Sequence, residues 1–286
     1  MPTRTKMSTE EKFESMKSIF PSLAYFNGPV RMSVSHLAVY YQISDNSLNI
    51  NKLGIDPAYE LAKADPVHAA AGLNGIVSHE LGHWKTFTSP GFLAILAAEA
   101  ESVGKDRLGV AIRGQIGKAE SFLHMVNALP KELMAPAVEL YISVVNKIER
   151  QYPDIFEAAA QLYAISKSGF DSFIDQLAVS VVITPMVLEG NPVIAMMMKA
   201  MALARHEGGE SKAGSTEAFL AHIGFDKWKD KAFTDMAAVL CPEAAQGVKM
   251  VTSFNTEEIA KLVAARADEL RKSVQIARAS ARAGKR

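Results

Sequence analysis

Apolar residues recur at helical spacing over most of the chain. Phe13, Met16, Ile19 and Phe20 form one side of a short helix over Ser8–Phe20. Ser8 or Thr9 caps it, with Glu10 and Glu11 in its first turn. The period changes after that. Val34–Ile43 and Leu48–Ile55 read as strands around the turn Asp45–Asn46–Ser47, where Asn49 and Asn51 alternate with Leu48 and Ile50. The helical period then returns in Pro57–Ala64 and Pro66–Phe87, which ends at Ser89–Pro90–Gly91. Further helices are predicted over Phe92–Ser102, Asp106–Leu129, Glu132–Tyr152, Pro153–Lys167, Phe170–Ile183 and Pro192–Arg205. His206–Ser215 reads as a loop, and Thr216–Ile223, Asp226–Leu240 and Thr256–Arg282 complete the helices.

This pattern predicts a mainly α (α+β) chain forming a single domain over residues 1–286. Its parts are a β-ribbon at 34–55, a helix at 66–87 carrying the candidate metal ligands His79 and His83, a helical body at 92–205 that includes the third-ligand helix, and C-terminal helices at 216–286. Composition narrows the class. Apolar residues make up 49% and charged residues 22%, as in a globular chain. The formal net charge of zero argues against a nucleic-acid partner. The single cysteine, Cys241, excludes an intramolecular disulfide framework and a Cys-rich zinc site. It fits a reducing, cytoplasmic setting. Met1–Glu14 is polar, unlike a signal peptide. Leu177–Ala204 is the most apolar stretch, but Glu189–Pro192 divides it into pieces too short to span a bilayer, so two core helices are expected.

The chemistry concentrates in His79-Glu80-Leu81-Gly82-His83. Four-residue spacing puts both imidazoles on one helix face, where they can meet a single ion. Zn²⁺ suits that donor pair. Glu80 follows the first histidine and is placed to take a proton from a metal-bound water. The residues before the motif are small or apolar, and Gly82 lets another segment approach closely.

A catalytic zinc usually takes a third protein ligand. Trp84–Lys85–Thr86 after His83 rules out a third nearby histidine, and His36, His68, His124, His206 and His222 lack partners at short spacing. A carboxylate from a later helix is therefore expected. Asp171 and Asp175 share a face one turn apart, ahead of the apolar run Val179–Ile183. One could bind metal and the other hold a histidine N–H. Glu157, followed one turn later by Gln161, competes for the same role. Glu99 and Glu101 belong to no recognisable ligand motif.

These motifs resemble the gluzincin metallopeptidases, within them the prenyl-protein-processing and heat-shock zinc proteases and their soluble relatives. That group's pattern is H-E-x-x-H followed, after a long helical interval, by E-x-x-x-D-x-x-A. His79–His83 matches the first part; Asp171, Asp175 and Ala178 match the second, with Asp in place of the ligand Glu. Gly190–Asn191–Pro192, Ala195 and Met196–Met201 echo a further segment, while Ser253–Leu262 lacks the His and Arg of a later one. The resemblance implies a zincin-like core, a Zn²⁺ cofactor held by His79, His83 and Asp171, support from Asp175, and Glu80 as catalytic base. The expected activity is that of a metalloendopeptidase acting on a peptide or protein substrate, which lies along an edge strand at Leu48–Ile50. His206, His222 and Tyr163 are candidates for stabilising the oxyanion. Three other readings remain: a metal-binding regulatory module without turnover, an interaction protein using Met196–Met201 as a groove, and self-inhibition by Thr256–Arg286.

Overall fold

A computed structural model describes residues 7–34, 39–190 and 216–283, with side chains omitted at 188–190. The chain is mainly helical with a small N-terminal sheet, as expected. The predicted helix at Pro192–Arg205, the loop at His206–Ser215 and the Met196–Met201 run lie outside the described residues.

Helix α1 (Thr9–Met16) is capped by Ser8, whose side chain accepts from the Glu11 N–H while the Glu11 carboxylate accepts from the Ser8 N–H. Two short 3₁₀ turns then lead to strand β1 (Val30–Ser33), which the ribbon reading did not anticipate. Strands β2 (Val39–Gln42) and β3 (Ser47–Asn51) follow. The sheet order is β1-β3-β2. β1 runs parallel to β3 with Val30 opposite Leu48, and β2 runs antiparallel with Tyr41 opposite Leu48. β3 is thus central and paired on both sides, so Leu48–Ile50 is not an edge. β2 is the strand that lies against the motif helix.

β3 stops at Asn51 for a local reason. The Asn51 side chain accepts from the Leu53 N–H and starts α2 (Lys52–Ala64), so Leu53–Ile55 are helical instead of extended. The motif helix α3 (His68–Thr88) ends at Ser89, which caps α4 (Pro90–Ser102) by accepting from the Phe92 N–H. The long helix expected over Asp106–Leu129 is two pieces, α5 (Asp106–Arg113) and α6 (Phe122–Asn127), because Ser121 caps the second separately. α7 (Lys131–Gln151) leads to α8 (Ile155–Gly190).

α8 is bent, not straight. Gly169 has φ 85° and ψ 173°, a backbone conformation that favours glycine. It divides α8 into an arm before the bend and an arm after it. Side chains of Gln161 and Gln176, one from each arm, hydrogen bond to each other at 2.9 and 3.1 Å. On a straight helix those residues would stand roughly 22 Å apart. Residues Ile155–Val187 are long and apolar enough to cross a membrane by length and composition alone.

From residue 216 onward come α9 (Thr216–His222), a 3₁₀ turn at Phe225–Lys229, α10 (Lys231–Leu240), α11 (Ala244–Val251) and α12 (Thr256–Ala283). Asp230 caps α10 through the Ala232 N–H, which splits the helix expected over Asp226–Leu240. α12 buries Ile259, Val263, Ala267, Leu270 and Val274, so its first five turns are part of the core. It lies against α8 and α2.

α3 and α8 form the centre of the molecule. At about 100° per residue, Gly72, Gly75, His79, Gly82 and His83 fall within an arc of about 100° on α3. The glycines let α8 come close. A Cβ at Gly82 would lie 2.5 Å from the Ala160 carbonyl oxygen, and one at Gly72 2.5 Å from that of Asp175. The face that carries the two histidines is therefore the face pressed against α8.

Candidate metal centre

His79 and His83 present their rings side by side, with centroids 5.0 Å apart and planes at 87°. The acid that meets them is Glu157, in the first turn of α8. Its Oε2 lies 3.2 Å from His79 Nε2 and 3.5 Å from His83 Nε2. Ligand atoms from these three residues all fall within 4.8 Å of one another, and the group could hold a metal ion. Phe156 anchors this turn of α8 by packing against Phe87 and Phe92, at centroid separations of 5.5 and 6.1 Å. Phe87 in turn stacks on the His83 ring at 6.4 Å.

Glu157, not Asp171, therefore supplies the carboxylate. Asp171 is exposed just past the bend and is not part of the group. Asp175 is buried but turned elsewhere. It pairs with Arg266 of α12 and lies 3.3 Å from His68 Nδ1. The bend at Gly169 explains both corrections, because it lays the second arm against the start of α3, with Asp175 level with Gly72. His68 is eleven residues before His79, about 16 Å along the helix, so this cluster is remote from the two histidines.

The support expected from Asp175 comes instead from Gln161. Its Oε1 lies 2.9 Å from His79 Nδ1, and Gln161 and Gln176 are both buried. When Nδ1–H donates to this amide oxygen, Nε2 keeps its lone pair for an ion. The sequence signal was the position of Gln161 one turn after Glu157, on the same face. A second residue had no such signal. His222, at the end of α9, places Nε2 3.2 Å from Glu157 Oε2. Of the groups considered for the oxyanion, His222 is thus at the cluster, while His206 lies outside the described residues. Tyr163 is a core residue whose phenol burial pushes up to about 12. His124 accepts from the Glu120 N–H, and Glu99 and Glu101 pair with Lys147 and Arg113.

Glu80 projects toward the sheet. Its Oε2 accepts a hydrogen bond from the Tyr41 N–H at 2.9 Å. Tyr41 stands opposite Leu48 in the antiparallel pair, and its N–H faces away from β3. Phe26 wedges between Tyr41 and Trp84 in two edge-to-face contacts, at 6.2 and 5.5 Å, holding β2 over α3. One oxygen of Glu80 is thereby held by the sheet.

The electrostatics follow from burial and crowding. Burial raises the Glu80 pKa above the usual carboxylate value, and His79 and His83 offset only part of it. Burial alone would lower His83, but the adjacent Glu157 carboxylate outweighs it and raises the imidazole to about 9. Burial opposes the charge on Glu157, yet the three histidines around it hold its pKa well below the usual value. Asp175 is raised, since burial outweighs Arg266 and His68.

No protein-family model, curated protein or solved structure matches this chain.

Proposed function

We propose that this chain is a zinc-dependent endopeptidase of the gluzincin kind, with Glu157 in the place first expected for Asp171. The carrying observation is the convergence of His79, His83 and Glu157, with Glu80 on the same helix. A tetrahedral ion with bonds of about 2.0–2.1 Å needs its ligand atoms roughly 3.3–3.4 Å apart. The contacts of 3.2 and 3.5 Å to Glu157 match that spacing. Two neutral imidazoles and one carboxylate are also a donor set typical of catalytic zinc.

When bound, the ion would acidify a water and polarise the scissile carbonyl. The residues of the chain do the rest. His79, His83 and Glu157 would hold the ion, and Gln161 orients the His79 ring. Glu80 accepts the proton of the attacking water and delivers it to the leaving amine. Burial raises the Glu80 pKa, which makes the carboxylate a stronger base for that exchange. The Tyr41 N–H keeps the carboxylate aimed. β2 is a half-buried outer strand of the described sheet beside Glu80, so an extended peptide that paired with its free stretch would lie next to the reacting groups.

Metal analysis and a peptide-library digest test the reading together. Purified protein should carry stoichiometric zinc and cleave peptides, and Glu80→Gln should keep the metal while losing turnover. Protein that binds no zinc defeats the proposal. Zinc without turnover in the wild type favours a regulatory metal-binding module instead.

A further inference from the structure

The third imidazole on Glu157 has a role to explain. His222 is not one of the three residues able to hold an ion, yet its Nε2 lies at hydrogen-bond distance, 3.2 Å, from Glu157 Oε2. The fold directs it there. Phe219, three residues earlier, meets the imidazole at a centroid separation of 6.5 Å, and Phe219 itself packs against the core. Leu220 and Ile223, buried on either side in sequence, seat α9 on the body of the protein. Trp228 reinforces that seat by donating to the Ile223 carbonyl at 3.0 Å. His222 is therefore held on a packed element while its ring stays half exposed and reaches the carboxylate.

A ligand carboxylate has more lone pairs than one ion uses, and groups that hydrogen bond to it set its orientation. We infer that His222 is a positioning residue for the metal centre: its Nε2–H donates to Glu157, keeps that carboxylate turned toward His79 and His83, and couples ion binding to the seating of α9. The inference rests on the metal-centre reading above. Coupling of this kind is reciprocal. An ion that fixes Glu157 strengthens the docking of α9, and a docked α9 strengthens ion binding. His222 thus adds a polar link from α9 to the centre, beside the direct packing of α10, α11 and α12 on α8.

The test compares wild type with His222→Phe and His222→Gln, using Zn²⁺ and Co²⁺ as probes. Three readouts do not depend on turnover: affinity by chelator competition, the Co²⁺ absorption spectrum, and amide hydrogen exchange over residues 216–222. His222→Phe should weaken binding by about 10–100-fold, the range for losing a partner of a metal ligand. His222→Gln, which keeps an N–H donor, should restore most of it. Metal should slow exchange over 216–222 in wild type but not in His222→Phe. The Co²⁺ spectrum should keep the same coordination number in all three proteins. Wild-type affinity and metal-linked protection in His222→Phe would overturn the inference alone. Loss of affinity in both variants with a changed coordination number would make His222 a direct ligand, which also overturns it. A wild type that takes up neither ion removes the metal-centre reading itself.

Discussion

Replacing Gly82 by alanine tests the register that brings Glu157 to the histidines. The new Cβ would sit 2.5 Å from the Ala160 carbonyl oxygen and 2.6 Å from its Cα, where ordinary contact begins at 3.4 Å. Both obstacles are backbone, so no rotamer change relieves them. The first arm of α8 must retreat by roughly 0.9 Å, several times the tolerance of about 0.2 Å on metal–ligand bonds. Glu157 lies three residues before Ala160 and moves with it. Overpacking of this kind costs about 1–3 kcal/mol. At about 2–4 °C per kcal/mol for a chain of this size, the melting temperature should fall by roughly 2–12 °C. Metal affinity should fall on the order of 10–100-fold, the scale of a misoriented ligand. Thermal melts and chelator competition measure the two effects. Gly54→Ala is the matched control, because that position in α2 has nothing within 4 Å and alanine there should be neutral or stabilising by about 0.4–1 kcal/mol. If Gly82→Ala binds metal and melts as wild type does, the close approach of α8 is not what positions Glu157.

Further predictions follow from the same geometry. Glu157→Gln should weaken metal binding by more than the roughly 10–100-fold expected for an outer partner, whereas Asp171→Asn should leave it unchanged; equal losses would reverse the ligand assignment. In metal-free protein the raised His83, at about 9 against 6.5, stabilises the fold fully below about pH 6.5, and that contribution is lost as pH rises toward 9. Glu157 acts in the opposite sense, contributing above about pH 4.5 and losing it as pH falls through its lowered value. Metal must displace the His83 proton, so calorimetry at pH 7 in buffers of differing ionisation heat should show about one proton released per ion; none released would count against the His83 assignment. Arg266→Ala leaves Asp175 buried without its cation and should cost about 3 kcal/mol at pH 7, less in acid where Asp175 takes up a proton, with metal affinity untouched. Truncation after Asn255 should unfold the protein by stripping Ile259, Val263 and Leu270 from the core; a folded, more active product would restore the self-inhibition reading.

The local sequence determined much of this protein. Helical spacing alone put His79 and His83 on one face with Glu80 beside them, because four residues is one turn whatever surrounds the helix. The mainly helical class and the small N-terminal sheet followed from the same periodicities. Side-chain caps were harder to weigh: Asn51 and Ser121 moved or split helices where the apolar pattern ran on without interruption. Which carboxylate meets the two histidines was a different kind of question. Glu157 and Asp171 both lie on apolar helical stretches at plausible distances along the chain, and residue type alone favoured neither decisively. Tertiary packing chose between them. Glycines on α3 admit the α8 backbone at Ala160, which seats Glu157 beside the histidines, and the bend at Gly169 carries Asp171 and Asp175 away toward solvent and Arg266. The same packing made β2 the strand beside Glu80 and brought His222 to Glu157 from far along the chain. Spacing within one helix is set by covalent geometry, so a sequence displays it; which two helices touch, and at what register, depends on the closest approach their surfaces allow.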